Sequence, residues 1–291
     1  LFPNAPKLEN ITDTGVENPV IDPSQTRIAY AVSSQSAQKN GIYIIDLGDR
    51  SLLTLQSNAT QITDETTDLF SKARMSWSPD GQNLLATVSA TRVSTYLLTT
   101  NGLNSAPSDI TETTGSVEAT WEKAKLEKEQ SRLNSLKPTL KTFVTNNFSI
   151  IAWSPDETKI LYTASQSATL PPIITPPLIG TDATMQERSI QKDNVYVYDT
   201  KEDKNFLVGE TNKKFGTDYT LTWFPDSKHL IYVHDKRIAI KEYDNTNDTT
   251  VYAGPFMDTY VFPWPNATKI VILTNLNNPN ISPNLYTIDL K

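Results

Sequence analysis

The 291-residue chain contains no cysteine. That absence excludes disulfides, thiolate metal sites and a cysteine nucleophile together. Histidine is almost as scarce, with His229 and His234 alone. His234-Asp235 offers two metal ligands and no visible third, so the pair reads as a polar strand end. No Gly-X-Ser-X-Gly elbow, glycine-rich phosphate or dinucleotide loop, or His-Glu-X-X-His pattern occurs. Asp244-Asn245-Thr246-Asn247-Asp248 is rich in oxygen but lacks the spacing and glycine of an EF-hand loop, and reads as a polar turn. No catalytic residue, metal site or cofactor is therefore expected. No apolar run approaches the about 20 residues of a membrane-spanning helix. A chain that starts at Leu1 reads as a trimmed or processed form, so any membrane attachment is expected in segments outside it.

Positive charge is also in short supply. Lys and Arg number 26 against 33 Asp and Glu, for a net charge of -7. The densest basic stretch, residues 121–141, interleaves Lys with Glu as a solvated helix does. Nucleic-acid binding, which draws on a basic patch, is not expected. With 37% hydrophobic and 20% charged residues the chain is globular.

What the chain does have is a repeat. Trp77-Ser78-Pro79-Asp80-Gly81, Trp153-Ser154-Pro155-Asp156-Glu157 and Trp223-Phe224-Pro225-Asp226-Ser227 align directly. Weaker copies are Ile21-Asp22-Pro23-Ser24 and Pro263-Trp264-Pro265-Asn266. Each precedes a β-prone run: Ile28 to Tyr30, Leu84 to Val88, Ile160 to Tyr162, Leu230 to Val233 and Ile270 to Leu273. Proline presets a turn, Asp or Asn continues it, and the Trp is large enough to pack between sheets. A third strand recurs at 42–46, 195–199 and 285–289, with looser copies near 95–99 and 238–243. A fourth carries Gln61-Ile62-Thr63-Asp64 or Asp109-Ile110-Thr111-Glu112, and is reduced to 206–208 and 250–252 elsewhere.

Four antiparallel strands repeated five times predict an all-β, five-bladed β-propeller occupying 1–291 as one domain. The chain stops after the third strand of the last repeat. The fourth-strand signature Asn10-Ile11-Thr12-Asp13 stands ahead of the first repeat. The N-terminus is therefore expected to supply the outer strand of the last blade, removing an open edge.

The Trp-Ser-Pro-Asp-Gly, Leu-Tyr-X-X-Asp and Ile-Thr-Asp pattern resembles the TolB-like, or WD40-like (PD40), propeller repeat over nearly the whole chain. The resemblance implies an extracytoplasmic, periplasmic or cell-surface module that binds a protein or peptide, from a bacterial envelope or exported protein. In that family such propellers also gate serine peptidases. A carbohydrate-active hydrolase or lyase of the five-bladed type is the alternative, as is an accessory domain of a larger membrane-anchored chain. A monomer is expected.

Two insertions interrupt the repeat. Residues 113–147 follow the fourth strand of blade two. Their core, 116–136, is free of Gly and Pro and predicts a helix ending at or before Pro138. Trp121, Leu126, Leu133 and Leu136 are expected on one apolar stripe. Residues 166–192 separate the second and third strands of blade three and hold a Pro-rich loop with Leu170, Ile173, Ile174 and Leu178. Up-and-down connectivity places both insertions on the face opposite the Trp-Ser-Pro-Asp turns. There they either cap that face or form a partner platform carrying Trp121, Leu126, Leu133, Leu170, Ile173, Ile174 and Leu178. Asn18, Arg74, Ile150, Thr220 and Tyr260 fall at equivalent first-strand offsets and are expected to line the channel.

Overall fold

The computed structural model describes residues 7–36, 38–48, 59–90, 92–209 and 221–290. The chain runs β1 (Leu8–Asn10), β2 (Glu17–Ile21), β3 (Arg27–Val32), β4 (Gly41–Asp46), β5 (Ala59–Gln61), β6 (Arg74–Trp77), β7 (Asn83–Ser89), β8 (Val93–Thr99) and β9 (Ser108–Asp109). Helices α1 (Thr114–Ser135) and α2 (Pro138–Asn147) follow. Then come β10 (Phe148–Trp153), β11 (Lys159–Ala164), β12 (Ala168–Thr169), β13 (Ser189–Ile190), β14 (Val195–Asp199) and β15 (Lys204–Gly209). The chain finishes with β16 (Thr222–Trp223), β17 (His229–His234), β18 (Arg237–Glu242), β19 (Thr249–Tyr252), β20 (Val261–Pro263), β21 (Lys269–Thr274) and β22 (Asn284–Asp289). It divides into two compact units, Leu1–Leu126 with Pro255–Lys291, and Glu127–Gly254.

Among the described residues the strands form five four-stranded antiparallel sheets and one two-stranded ladder. Unit 1 holds β2-β3-β4-β5, β6-β7-β8-β9 and β1-β22-β21-β20; unit 2 holds β10-β11-β14-β15, β16-β17-β18-β19 and the pair β12-β13. Strand β1 is the outer strand beside β22, with Leu8 opposite Ile288 and Asn10 opposite Tyr286. The N-terminal segment thus completes the sheet built by the last three strands.

The five repeat turns are superimposable in their hydrogen bonds. In each, the residue before the aligned proline donates its N–H across the hairpin: Asp22 to Arg27 O, Ser78 to Asn83 O, Ser154 to Lys159 O, Phe224 to His229 O and Trp264 to Lys269 O, all at 2.8–2.9 Å. Two residues after the proline the backbone is left-handed in every copy: Gln25 (φ 58°), Gly81 (φ 70°), Glu157 (φ 58°), Ser227 (φ 59°) and Ala267 (φ 58°). Only the second copy has the glycine this region favours. The recurring carboxylate caps the turn: Asp80, Asp156 and Asp226 each accept the N–H two residues on, at 2.9–3.1 Å.

The Ile-Thr signature has an equally concrete cause. Its Ile and Thr clamp one third-strand residue from both sides. Ile11 N–H donates to Leu285 O while Thr12 Oγ1 accepts Leu285 N–H at 2.9 Å. Ile62 and Thr63 do the same to Ile42, and Ile110 and Thr111 to Thr95. All three clamps lie in unit 1. The signature sits just past the end of the fourth strand, not within it. A side chain at Gly41 would collide with Thr63 O, at 2.1 Å from an ideal Cβ.

Burial follows the two-residue strand period. In the middle sheet of unit 1, Ala29, Ala31, Ile42 and Ile44 face β6-β9, packing with Met75, Trp77, Leu84 and Ala86. Ile28, Tyr30, Val32 and Ile45 face the other way, onto Phe262, Trp264, Val271 and Leu285. In unit 2, Leu161, Val197 and Val208 pack on Trp223, Leu230 and Tyr232 of β16-β19. The opposite side of that sheet, with Ile160, Tyr162, Tyr196 and Tyr198, is covered by Leu140 and Val144 of α2, by Leu170 and by Ile190. Pro138, read as a helix stop, is the first residue of α2, where its missing N–H costs nothing.

Candidate functional site

The site built by the two insertions lies in unit 2. The C-terminal turns of α1 dock on the third repeat turn. Trp153 Nε1 donates to both carboxylate oxygens of Glu129, at 3.1 and 3.0 Å. Arg132 donates to Glu157 Oε1 at 2.7 and 2.9 Å, and its guanidinium lies 5.8 Å from the Trp153 ring centroid. Leu133 and Leu136 pack against the cluster around Tyr162. Further toward its N-terminus α1 buries nothing, and Leu126 is 60% exposed. The expected single stripe is therefore interrupted at Leu126, between half-buried Trp121 and the packed Leu133 and Leu136.

The second insertion is not a plain loop. It leaves and returns through the β12-β13 ladder, with Ala168 opposite Ile190. Its base is fixed by Arg188 and Asp203. Arg188 donates to Leu170 O (3.1 Å), Pro171 O (2.6 Å), Asp203 O (2.7 Å) and Asp203 Oδ1 (3.0 Å). Asp203 Oδ2 accepts the N–H of Ile173 at 2.6 Å and of Ile174 at 2.9 Å, while Oδ1 accepts the Tyr198 hydroxyl at 2.8 Å. Burial opposes ionisation of Asp203, but those two N–H groups, Tyr198 and Arg188 outweigh it and hold its carboxyl below the usual range. Farther along, Asp182 N–H donates to Glu202 at 2.9 Å and Thr184 Oγ1 to Asp244 Oδ2 at 2.5 Å. The returning chain also bonds the outer strand, Glu187 N–H to Asn205 O at 2.7 Å, so the edge of β15 is covered there.

These contacts correct the expected placement of the insertions. Glu157 belongs to a Trp-Ser-Pro-Asp turn, and Asp203 to the β14-β15 turn at the same end of the sheet. Both insertions therefore reach the end carrying the repeat turns, not only the opposite one. Connectivity fixes where a segment leaves a sheet. It does not fix where more than twenty residues then run.

The proposed platform residues separate accordingly. Leu170 is 1% exposed and serves the interior, with Leu133 and Ile173 packed on the same cluster. Ile174 is half-buried, its N–H on Asp203. Leu126 and Leu178 (48% exposed) face solvent, joined by Ile179 and Met185, neither of which was among the expected platform residues. Of the channel positions, Asn18 is exposed with φ 48° and donates from Nδ2 to Ala73 O at 3.3 Å; Arg74 is exposed. Ile150 and Tyr260 are partly buried in apolar clusters, and Thr220 lies outside the described residues. Glu129, Arg132, Arg188 and Asp203, which hold the site together, gave no sequence signal, since each is one of many charged residues in polar stretches.

Several titratable groups are engaged structurally. Burial pushes Asp156 up, but the Ser154 and Thr158 hydroxyls, the Thr158 N–H and Lys159 hold it at about 2. His229 Nδ1 lies 2.6 Å from Asp226 Oδ2 within its turn. Asp248 accepts the Tyr232 hydroxyl, and Asp244 the Thr246 N–H and hydroxyl. Lys241 is 2% exposed, donates to Val208 O and to Asn245 Oδ1, and sits 5.2 Å from the Tyr232 ring; burial pulls its pKa down to about 8. Among the described residues no group of three His, Asp or Glu side chains is placed to hold a metal ion. No helix among them is long and apolar enough to cross a membrane.

No family model and no curated protein matches the chain. Among solved structures it is similar to a TolB of Agrobacterium tumefaciens, at 13% identity over 97% of this chain and 83% of that one, with a TM-score of 0.31. It is similar also to the TolB of Acinetobacter baumannii, at 15% identity over 95% and 55% of the two chains, TM-score 0.31. A third similarity is to prolyl endopeptidases, at 13% identity over 97% and 35%, TM-score 0.29. The chain thus spans about half the length of the Acinetobacter protein. Similarities this distant decide nothing about what it binds.

Proposed function

We propose that the chain is a five-bladed propeller that binds a protein or peptide outside the cytoplasm and catalyses no reaction. The five four-stranded sheets with sequential strand order, the five matching turns and the N-terminal outer strand support the blade count. On this reading Asn18, Arg74, Ile150 and Tyr260 surround the axis, and a crystal structure with five sheets about one axis is the test. The observation that carries the binding reading is α1, a 22-residue helix without a buried residue. Its first turns have no packed face to stabilise them, and most helical stability in proteins comes from such packing. Presented from a rigid sheet, it suits a partner whose groove accepts one helical face. Leu126 is the apolar anchor on that face.

Affinity capture from the source cells compares the intact protein with a variant lacking 116–136 and with Leu126→Asp. The expected result is a partner retained by the intact protein and lost by both variants. Equal recovery in all three overturns the reading. A glycan and chromogenic-substrate screen, with and without calcium, is expected to give no turnover; a hit overturns the non-catalytic assignment.

A further inference from the structure

The Pro-rich insertion ends in an apex that the partner-binding reading of α1 does not use. Leu178 is 48% exposed, Met185 92% exposed, and Ile179 fully exposed. Other exposed apolar side chains, such as Leu69, Val93 and Leu103, are scattered along the sequence. Here Leu178 and Ile179 are adjacent at the tip, and Met185 follows just past the far foot. The apex is also held in place. One foot is bound at Ile173 and Ile174 by Asp203, the other at Asp182 and Thr184 by Glu202 and Asp244. A loop free to collapse would bury its Leu and Ile side chains, whereas a pinned one keeps them in water.

Two further features say which medium the apex suits. Residues 168–181 carry no charge, in a chain that is 20% charged. The approach to the apex also has few free backbone donors. Of the eight residues 170–177, Pro171, Pro172, Pro176 and Pro177 have no N–H, and those of Leu170, Ile173 and Ile174 are bonded inside the chain. The carbonyls of Leu170 and Pro171 are taken by Arg188, and that of Ile173 by Lys137. Hydrocarbon penalises charges and unsatisfied backbone groups above all else. A protein pocket imposes neither requirement so strictly, because it can supply partners of its own.

We propose that this apex, Leu178 and Ile179, inserts into the interface of a lipid bilayer, preferring electrically neutral lipid. The net charge of -7 disfavours an anionic surface. Two side chains give a weak, reversible contact, no stronger than a single short acyl anchor.

The absence of cysteine makes the test direct. Ile179→Cys carries the only thiol in the chain and takes one polarity-sensitive fluorophore. With phosphatidylcholine vesicles its emission is expected to rise and shift to the blue. Flotation with the same vesicles is expected to recover the unlabelled protein and to fall at least about tenfold for Ile179→Asp. Leu126→Asp, on α1, leaves flotation unchanged and so separates this proposal from the protein-partner reading. Admixed phosphatidylglycerol is expected to weaken binding at low salt. No spectral change at millimolar phosphatidylcholine overturns the proposal. So does equal flotation of Ile179→Asp, binding to anionic vesicles alone, or a blue shift without vesicles that grows with protein concentration, which assigns the apex to a second copy.

Discussion

The β6-β7-β8-β9 sheet of unit 1 and the β10-β11-β14-β15 sheet of unit 2 begin with the same repeat turn but meet different neighbours. In unit 1, Trp77 Nε1 donates to Val20 O of the adjacent sheet at 3.1 Å, and the Arg27 guanidinium lies 4.9 Å from its ring while bonding Gly81 O. In unit 2, Trp153 donates to Glu129 of α1, and Arg132 of α1 lies over its ring while bonding Glu157. Gly81 and Glu157 hold the same position in the turn. A helix therefore supplies what a strand pair supplies elsewhere: an acceptor for the indole and a guanidinium over its face. At these two turns the chemistry is the same while the secondary structure that supplies it differs. The substitution has a price in screening, since a carboxylate acceptor weakens with salt whereas an uncharged carbonyl does not.

The largest expected effect breaks unit 2 alone. Asp203→Ala removes the acceptor for two backbone N–H groups, Tyr198 and Arg188. It should cost about 3–5 kcal/mol. Amide exchange should accelerate through β11 and β14 while β3 and β7 keep their protection; equal acceleration in both units would contradict the separation. Next comes Lys241, whose pKa of about 8 when folded stands below the ordinary 10.5. Between those values the unfolded chain binds more protons, so stability rises with pH. The slope is at most about 1.4 kcal/mol per unit from pH 8 to 10. Above that, Tyr162, Tyr198, Tyr232 and Tyr243, all raised chiefly by burial, tip the slope downward. Denaturant titrations of Lys241→Met should show no rise over this window.

Thr63→Val tests a clamp that, among the described residues, is found in unit 1. It strands the Ile42 N–H and should cost about 1–3 kcal/mol, read as exchange at β4. The smallest effects concern the left-handed turn position. Ala267→Gly should stabilise by about 1 kcal/mol, visible as a rise in Tm. The matching Glu157→Gly should gain less, because it also releases Arg132. Equal gains at both positions would show that the α1 contact contributes nothing.

The repeat was readable because each of its signals is local. Proline, Asp and the left-handed residue lie within one turn, and the Ile-Thr clamp names its own strand partner. Even the N-terminal strand could be placed, since Asn10 to Asp13 matches a piece missing at the other end. The insertions were less readable for the same reason reversed. Arg132 finds Glu157 across 25 residues and Arg188 finds Asp203 across 15, through side chains that any solvated loop carries. Pro138 ends one helix and starts another with the same chemistry. The exposure of Ile179 was the opposite of what its hydrophobicity implied, because nothing local shows that both feet of its loop are tied.

The pairing of β1 with β22 also has a mechanical side. Leu8 lies opposite Ile288, at the end of the ladder where both chain directions point outward. Tension drawn between these two residues loads the rungs in series, one at a time, and peels the three-residue strand like a zip. The same ladder pulled along its length would share the load across all its bonds. The last sheet therefore yields first when its two chain segments are drawn apart, exposing the edge of β22 while the sheets behind it remain intact.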